Sequence, residues 1–219
     1  MHVELIDRLR CTAPHADSWL VAHADRSIDR RILEGTLGCP VCRREFRVSA
    51  GDVWMGDDEP ACRPAAFVPD AGTALRPAAL RLAALLNVDE RGGLYVLDGA
   101  LATAVSQLNP FDTARWILLS PPPGVEADAT IRGAGDQLPL ARGSVRGVAI
   151  DRASSAFAIA AAAALVQGGR LVAPVATARP DGMEEIARDA DQWVAQKVAA
   201  FDAAALVIPR RAAPRTGHQ

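Results

Sequence analysis

The sequence predicts an α/β fold with a mostly parallel sheet and helices on both faces, preceded by a small loop-rich module. From residue 75 onward, short apolar runs typical of buried strands alternate with stretches whose apolar residues recur every three or four positions. This alternation is the pattern of βαβ units. Residues 1–50 instead hold short extended segments around a Cys-x-x-Cys turn. A segment of that size buries too little apolar surface to fold alone without a metal or disulfides.

Length and charge narrow the class of protein. The chain has 219 residues, of which 50% are hydrophobic, and a formal net charge of -2. A chain of this length suits one medium domain and one small one. Its net charge creates no electrostatic field that would favour binding to nucleic acid or to an anionic membrane. The longest apolar run, 156–166, is shorter than the roughly 20 residues that cross a bilayer, and residues 1–10 lack a signal-peptide core. We therefore expect a cytoplasmic protein with no membrane association.

The first module is predicted to consist of short elements and turns. We expect a short helix or turn at 3–9, three short strands and an exposed polar turn at 25–31. Glycine, proline and aspartate then mark a linker. The predicted strands cover 19–22, 32–37 and 43–48. The predicted domain boundaries are 1–50 for the module, 51–73 for the linker, 74–209 for the α/β domain and 210–219 for a disordered basic tail.

The second domain shows the alternation in order. Residues 75–86 have apolar positions three and four apart, which predicts an amphipathic helix, and the glycine pair at 168–169 suits the end of another helix. The remaining predictions are helices at 100–108, 154–166 and 183–201, and strands at 93–97, 114–119, 129–132, 145–150, 170–175 and 205–208.

Four side chains of the first module form a candidate metal site. Cys39 and Cys42 place two thiolates on one tight turn, where both can reach one ion. Zinc prefers four ligands in a tetrahedron, and Cys11 and His15 supply a second pair at a suitable spacing. Four protein ligands leave no position for water, so the predicted zinc is structural. His23 is an alternative to His15, and Cys62 is a spare thiol; a redox pair or a site that has lost its metal are the competing interpretations.

This module resembles a known family of small zinc-ribbon proteins. The stretches 5–11 and 34–46, the second of which contains Gly-Cys-Pro-Val-Cys-Arg-Arg, are similar to zinc ribbons of the tRNA-methyltransferase-activator type. Such ribbons occur alone or fused before bacterial methyltransferases. His15 stands, one residue late, where that family usually has a second cysteine. The resemblance implies a structural Zn²⁺ and a protein partner.

The second domain resembles class I S-adenosylmethionine-dependent methyltransferases in four places. These are 95–100, 135–140, 145–151 and 165–172, in the order and spacing of that family. The resemblance implies a Rossmann-like fold and S-adenosylmethionine as cofactor. It also implies that Asp98 and Gly99 lie at the first turn, that Asp136 lies beside the adenine and that Asp151 lies on the substrate side. Each aspartate could instead be an ordinary turn or capping residue.

The cofactor loop departs from the family pattern. Such a turn needs several glycines, because their backbone approaches the ligand closely and adopts dihedral angles that a Cβ disfavours. Here Gly99 is followed by Ala100, Leu101 and Ala102, and the stretch 116–124 contains no carboxylate for the ribose hydroxyls. We therefore expect cofactor binding to be lost or nearly lost, with the alanine methyl groups crowding the ligand.

Three functions follow from these features. The favoured one is a methyltransferase-like protein that acts as an interaction scaffold or regulatory partner and is not itself catalytic. The second is an active methyltransferase with a divergent site built from Asp98, Asp136 and Asp151. The third is a nucleic-acid-binding zinc ribbon in which Arg43, Arg44 and Arg47 contact phosphates.

Overall fold

A single mixed sheet organises the protein. The computed structural model describes residues 1–56, 75–89, 91–108, 113–125 and 127–198. Within these ranges eleven strands form one sheet in the order β1-β2-β3-β4-β7-β6-β5-β8-β9-β11-β10. The strands are β1 (Val21–Ile28), β2 (Arg31–Gly38), β3 (Glu45–Ser49), β4 (Asp52–Trp54), β5 (Gly93–Asp98), β6 (Ala114–Leu119), β7 (Ala129–Arg132), β8 (Val145–Ala149), β9 (Leu165–Pro174), β10 (Met183–Arg188) and β11 (Gln192–Lys197).

The centre of the sheet is parallel and its two ends are antiparallel. The run β4-β7-β6-β5-β8-β9 is parallel throughout. Within it, the order β7-β6-β5-β8-β9 reproduces the 3-2-1-4-5 order of a doubly wound fold. The predicted Rossmann-like α/β class is therefore confirmed. The strand order reverses between β5 and β8, and in such sheets the crevice at the carboxyl ends of those two strands is where ligands bind.

Helices cover both faces of the sheet. On one face, α1 (Leu75–Leu86), a 3₁₀ helix (Gly99–Ala104) and α2 (Val105–Leu108) pack over one apolar core. On the other face, α3 (Ser155–Ala164) and an N-terminal 3₁₀ helix (Val3–Arg8) pack over the second core. Successive strand residues alternate between the two cores, as the pleat requires.

The zinc-ribbon-like module is part of the same sheet. Strands β1 to β3 form an antiparallel meander, and β4 then pairs in parallel with β7, with Val53 opposite Ile131. Residues on both sides of that pairing belong to one buried core. The predicted linker is therefore wrong at Asp52–Trp54, because pairing with β7 gives these three residues a strand partner. Positions 57–73 of that linker lie outside the described residues.

The predicted turn of the module needs correction. The predicted exposed turn at 25–31 is mostly strand, since β1 continues to Ile28 and only Asp29 and Arg30 make the turn, both with positive φ. Two residues with positive φ suit the right-handed twist of a tight hairpin. The polar composition that suggested a loop is tolerated because β1 is an edge strand exposed on both faces. The helix predicted at 3–9 is a 3₁₀ helix that covers Val3–Arg8.

The long helix predicted at 183–201 is wrong over its described part, because β10 and β11 form an antiparallel hairpin there; residues 199–201 lie outside the described residues. Its apolar residues recur at helical spacing, but Trp193, Val194 and Ala195 are consecutive and all buried. A strand whose two faces are both covered requires such a run, and a one-sided helix does not. The Asp189 carboxylate closes the turn by accepting hydrogen bonds from the backbone N–H groups of Asp191 and Gln192.

Several predictions agree with the structure to the residue. The helix at 75–86 and the strands at 114–119 and 129–132 have the predicted limits. The helix predicted at 154–166 is shorter, because Ser154 caps its first turn by accepting from Phe157 N and Leu165 already begins β9. The predicted strand at 205–208 and the tail 210–219 lie outside the described residues. In the described part of the chain, no helix has the length and apolar character needed to cross a membrane.

The β4–β7 junction gives a stability prediction. Val53 is fully buried at this junction, so Val53→Ala removes two methyl groups from a packed core. We expect a loss of about 2 kcal/mol in the free energy of unfolding. The measurement is urea denaturation of the whole chain, monitored by tryptophan fluorescence.

The matched control is Val21→Ala, which removes the same two groups from an exposed strand position. It should change the unfolding free energy by less than about 0.5 kcal/mol. Equal effects of the two variants would contradict the packing described here.

Candidate functional site

The four predicted metal-ligating side chains lie together. The ligand atoms of Cys11, His15, Cys39 and Cys42 are all within 4.8 Å of one another. The two sulfurs of Cys11 and Cys42 are 3.7 Å apart, and Cys39 Sγ is 3.4 Å from His15 Nε2. Thiolates bound to one tetrahedral zinc at about 2.3 Å are separated by roughly 3.8 Å. The cluster is therefore compatible with a zinc site.

Backbone hydrogen bonds hold the two halves of this cluster. Cys39 follows directly on β2 and exchanges hydrogen bonds with the turn: its N–H donates to Arg44 O, and its carbonyl accepts from Arg43 N. Arg43 has a φ of 60°, which lets the chain reverse tightly. On the other side, Cys11 N donates to Ser18 O at 3.0 Å and closes the loop that carries His15.

The hydrogen bonds of His15 and Cys39 suit metal binding. His15 Nδ1 lies 2.6 Å from Ala16 O, a contact in which it donates its proton and leaves Nε2 free to face Cys39. Such a hydrogen bond is the usual way a ligating histidine is oriented. Burial of Cys39 opposes its ionisation, but hydrogen bonds from the backbone N–H groups of Cys42 and Val41 outweigh it and lower the pKa to about 6.

The alternative ligand His23 stands apart from the cluster. His23 lies on β1, is largely exposed, and its Nε2 is 3.3 Å from Asp25 Oδ1. It does not join the four side chains. Cys62 lies outside the described residues. The turn at 39–44, which we call the knuckle, also carries the exposed Arg43 and Arg44.

The second candidate site lies at the reversal of strand order. Asp98 ends β5, and Asp151 follows β8 by two residues, so both stand at the carboxyl edge of the sheet. The carboxylate of Asp98 is almost completely buried, at 1% exposure. Both of its oxygens are bound by Arg152, through Nε at 2.9 Å and through Nη2. Sequence reasoning missed Arg152, although a cation directly after Asp151 in an acidic set of candidates was a visible signal.

Arg152 also connects Asp98 to the loop after β7. Its Nη1 donates to Gly135 O at 2.5 Å and lies 4.0 Å from Asp136 Oδ1. The guanidinium packs against the ring of Phe157 at 4.4 Å. The hydrogen bonds to Asp98 raise the pKa of Arg152 above its ordinary value. One side chain therefore bridges the ends of β5 and β8 and the loop after β7.

The turn after β5 is held by Asp151. Gly99 has a φ of 57°, and a Cβ placed on it would lie 2.5 Å from Asp151 Oδ2. The same oxygen accepts a hydrogen bond from Ala100 N at 2.7 Å. Ala100 is exposed, whereas Ala102 is fully buried in the core under α1. The methyl group of Ala102 thus packs away from the crevice, and the expectation that it crowds a ligand is wrong.

The end of β6 completes the edge. Ser120 has a φ of 45°, and the carbonyl of Pro121 accepts from Arg132 Nη1 at 3.2 Å. Arg132 also donates to Asp52 at 2.6 Å, so this edge is tied to β4. At the carboxyl edge, Asp98 is hydrogen-bonded to Arg152 and Ala100 N to Asp151, so both groups are already engaged within the protein.

Comparison with known proteins gives structural similarity only. No protein-family model matches the sequence, and no curated protein is significantly similar to it. A putative methyltransferase from Bacillus halodurans aligns at 17% identity and a TM-score of 0.33, covering 45% of this chain and 49% of that one. The chain spans about half the length of the first such neighbours.

Two further solved structures are similar in the same sense. A Haloferax volcanii complex between the Trm112 methyltransferase activator and a putative methyltransferase aligns at 21% identity, TM-score 0.34, over 44% of this chain and 51% of that one. Burkholderia thailandensis 1,6-didemethyltoxoflavin-N1-methyltransferase, bound to its substrate and S-adenosylhomocysteine, aligns at 14%, TM-score 0.39, over 59% and 80%. These similarities concern the fold alone.

The geometry at Gly99 yields a testable prediction. Gly99→Ala should destabilise the protein through the positive φ, at about 1–2 kcal/mol, and through contact of the new methyl group with Asp151. The added crowding should cost at least about 1 kcal/mol more. Chemical denaturation of the purified variant provides the measurement.

Gly124→Ala is the matched control, because Gly124 has a φ of 78° and a Cβ added to it would meet nothing within 4 Å. It should show the backbone cost alone. A Gly99→Ala variant no less stable than Gly124→Ala would disprove close packing of Asp151 on the turn.

Proposed function

We propose that this protein is a methyltransferase-like interaction scaffold with a structural zinc site and without S-adenosylmethionine binding. The fold supplies the methyltransferase-like sheet, and the Cys/His cluster supplies the metal site. Its task is then to hold a protein partner rather than to transfer a methyl group.

One observation carries the proposal. Asp98, the buried acid at the reversal of strand order, has both oxygens engaged by Arg152. Separating such a pair leaves a buried charge without compensation, at a cost of about 3–5 kcal/mol. A ligand that needs Asp98 must bear that cost before it gains any contact of its own.

The metal site supports a structural role. All four positions of a zinc tetrahedron would be taken by Cys11, His15, Cys39 and Cys42, so no position remains for a water or substrate. The cluster lies next to the buried core that joins the module to the α/β sheet, because Cys39 is itself part of that core. Zinc would therefore stabilise the end of the sheet.

Exposed apolar side chains on the module support a protein partner. Trp19, Val21, Ile28 and Val41 are each more than half exposed. Val21 and Ile28 are the first and last residues of β1, Trp19 lies two residues before this strand, and Val41 lies in the knuckle. In the described part of the chain β1 is a terminal strand of the sheet, and exposed apolar side chains on such a strand are typical of a protein-binding surface.

Cofactor titration tests the central claim. Calorimetry of the zinc-loaded protein with S-adenosylmethionine or S-adenosylhomocysteine should show no binding at concentrations up to about 1 mM. Dissociation constants in the micromolar range for either ligand would refute the proposal and favour an active methyltransferase.

Metal analysis tests the zinc site. The purified protein should contain one zinc per chain, and His15→Ala should lower the affinity for zinc by more than about tenfold. His23→Ala is the control, since His23 is exposed on β1 outside the cluster. Loss of zinc in the His23 variant with retention in the His15 variant would reverse the ligand assignment.

Zinc affinity should rise with pH. The thiolate is the form that binds metal; Cys39 has its pKa lowered to about 6, whereas burial raises the pKa of Cys11 to about 11. Between pH 6 and 8, Cys39 is already mostly a thiolate, whereas zinc must displace the proton of Cys11. Affinity should therefore increase by about tenfold per pH unit for each proton released, as measured by competition with a chromogenic chelator. A pH-independent affinity would contradict thiolate ligation.

A further inference from the structure

We infer that the side chain of Arg152 excludes an adenosyl ligand from the crevice, by occupying the place of that ligand. This inference rests on the proposed function and gives its cause. The obstruction is then one side chain that closes an otherwise intact crevice, and not a loop whose backbone has lost the shape needed for the ligand.

The position of the guanidinium supports this assignment. It binds Asp98 at the end of β5, Gly135 O in the loop after β7, and lies beside Asp136. Those segments surround the point at which strand order reverses, where ligands of doubly wound folds bind. Arg152 itself follows β8, so its side chain reaches across the crevice from the neighbouring strand.

The turn itself offers little obstruction. Ala102 is buried in the core on the helix side, and Leu101 lines a separate cavity of about 190 Å³ beside α1. Ala100 is exposed at the surface. The alanine and leucine side chains that replace the glycines of the family therefore leave the crevice largely to Arg152.

The charges facing Arg152 favour a cationic ligand once it is removed. The carboxylates that act on its charge are those of Asp98, Asp136 and Asp151, from the ends of β5, the β7 loop and β8. Three carboxylates face a single guanidinium. A truncated variant would leave an acidic crevice suited to a ligand that carries positive charge, as the sulfonium and ammonium groups of S-adenosylmethionine do.

Truncation of Arg152 tests the inference. Calorimetry with S-adenosylmethionine should show no binding to the unmodified protein and a dissociation constant at or below about 100 µM for Arg152→Ala, a gain of about tenfold or more. Amide resonances of Ala100 and Gly135 should shift on titration of the variant. Arg142→Ala is the matched control: Arg142 is an exposed arginine, 3.8 Å from Asp17 and remote from the crevice, and its removal should produce no binding.

A second variant covers the case in which Arg152→Ala does not fold, because that change leaves the buried Asp98 unpaired. Asp98→Asn/Arg152→Ala removes both charges and keeps the shape of residue 98. A folded variant of either kind that does not bind, together with an unmodified protein that does not bind, overturns the inference and leaves the proposed function standing. Micromolar binding by the unmodified protein overturns the proposed function instead.

Discussion

Parallel pairing of β4 with β7 is the constraint on which the rest of the structure depends. It makes the small module and the α/β layer one sheet, with Val53 and Ile131 side by side in a common core. Because the module is fixed to the sheet in this way, the metal cluster has a defined position relative to the crevice. Gly56 and Gly133, whose backbones lie in direct contact just beyond the two strands, continue this junction to the carboxyl edge. A Cβ on either glycine would meet the other's backbone.

Local patterns in the sequence predicted the elements whose surroundings are simple. The helix at 75–86 and the central strands were recognisable because one period, or one apolar run, dominates each of them. The hairpin β10–β11 was mistaken for a helix because its apolar residues recur at helical spacing, and only the burial of Trp193 and its two neighbours on both faces of the sheet identifies a strand. Strand β4 is three residues long and depends on a partner more than 70 positions away, which no local pattern contains.

The two candidate sites differ in how much of each could be predicted from the sequence. The Cys/His cluster could be predicted because metal ligands have characteristic spacings along the chain. In the structure the ligand atoms of its four members lie within 4.8 Å of one another. The residues of the crevice could be predicted only in part. Asp98, Asp136 and Asp151 were recognised from a family pattern, but their partner Arg152 has no place in that pattern. The side-chain direction of Ala102, which decides whether its methyl group meets a ligand, depends on the 3₁₀ helix and could not be read from composition.

The β4–β7 pairing also sets an order of assembly during translation. All four cluster residues lie within positions 11–42, so the knuckle can take up its metal soon after these residues leave the ribosome. Strand β4 must then wait until residue 132 has been synthesised before β7 exists to receive it. At about 5–20 residues per second this delay lasts several seconds. For that interval the nascent module exposes the unpaired side of β4, and a chaperone or another strand could bind it there.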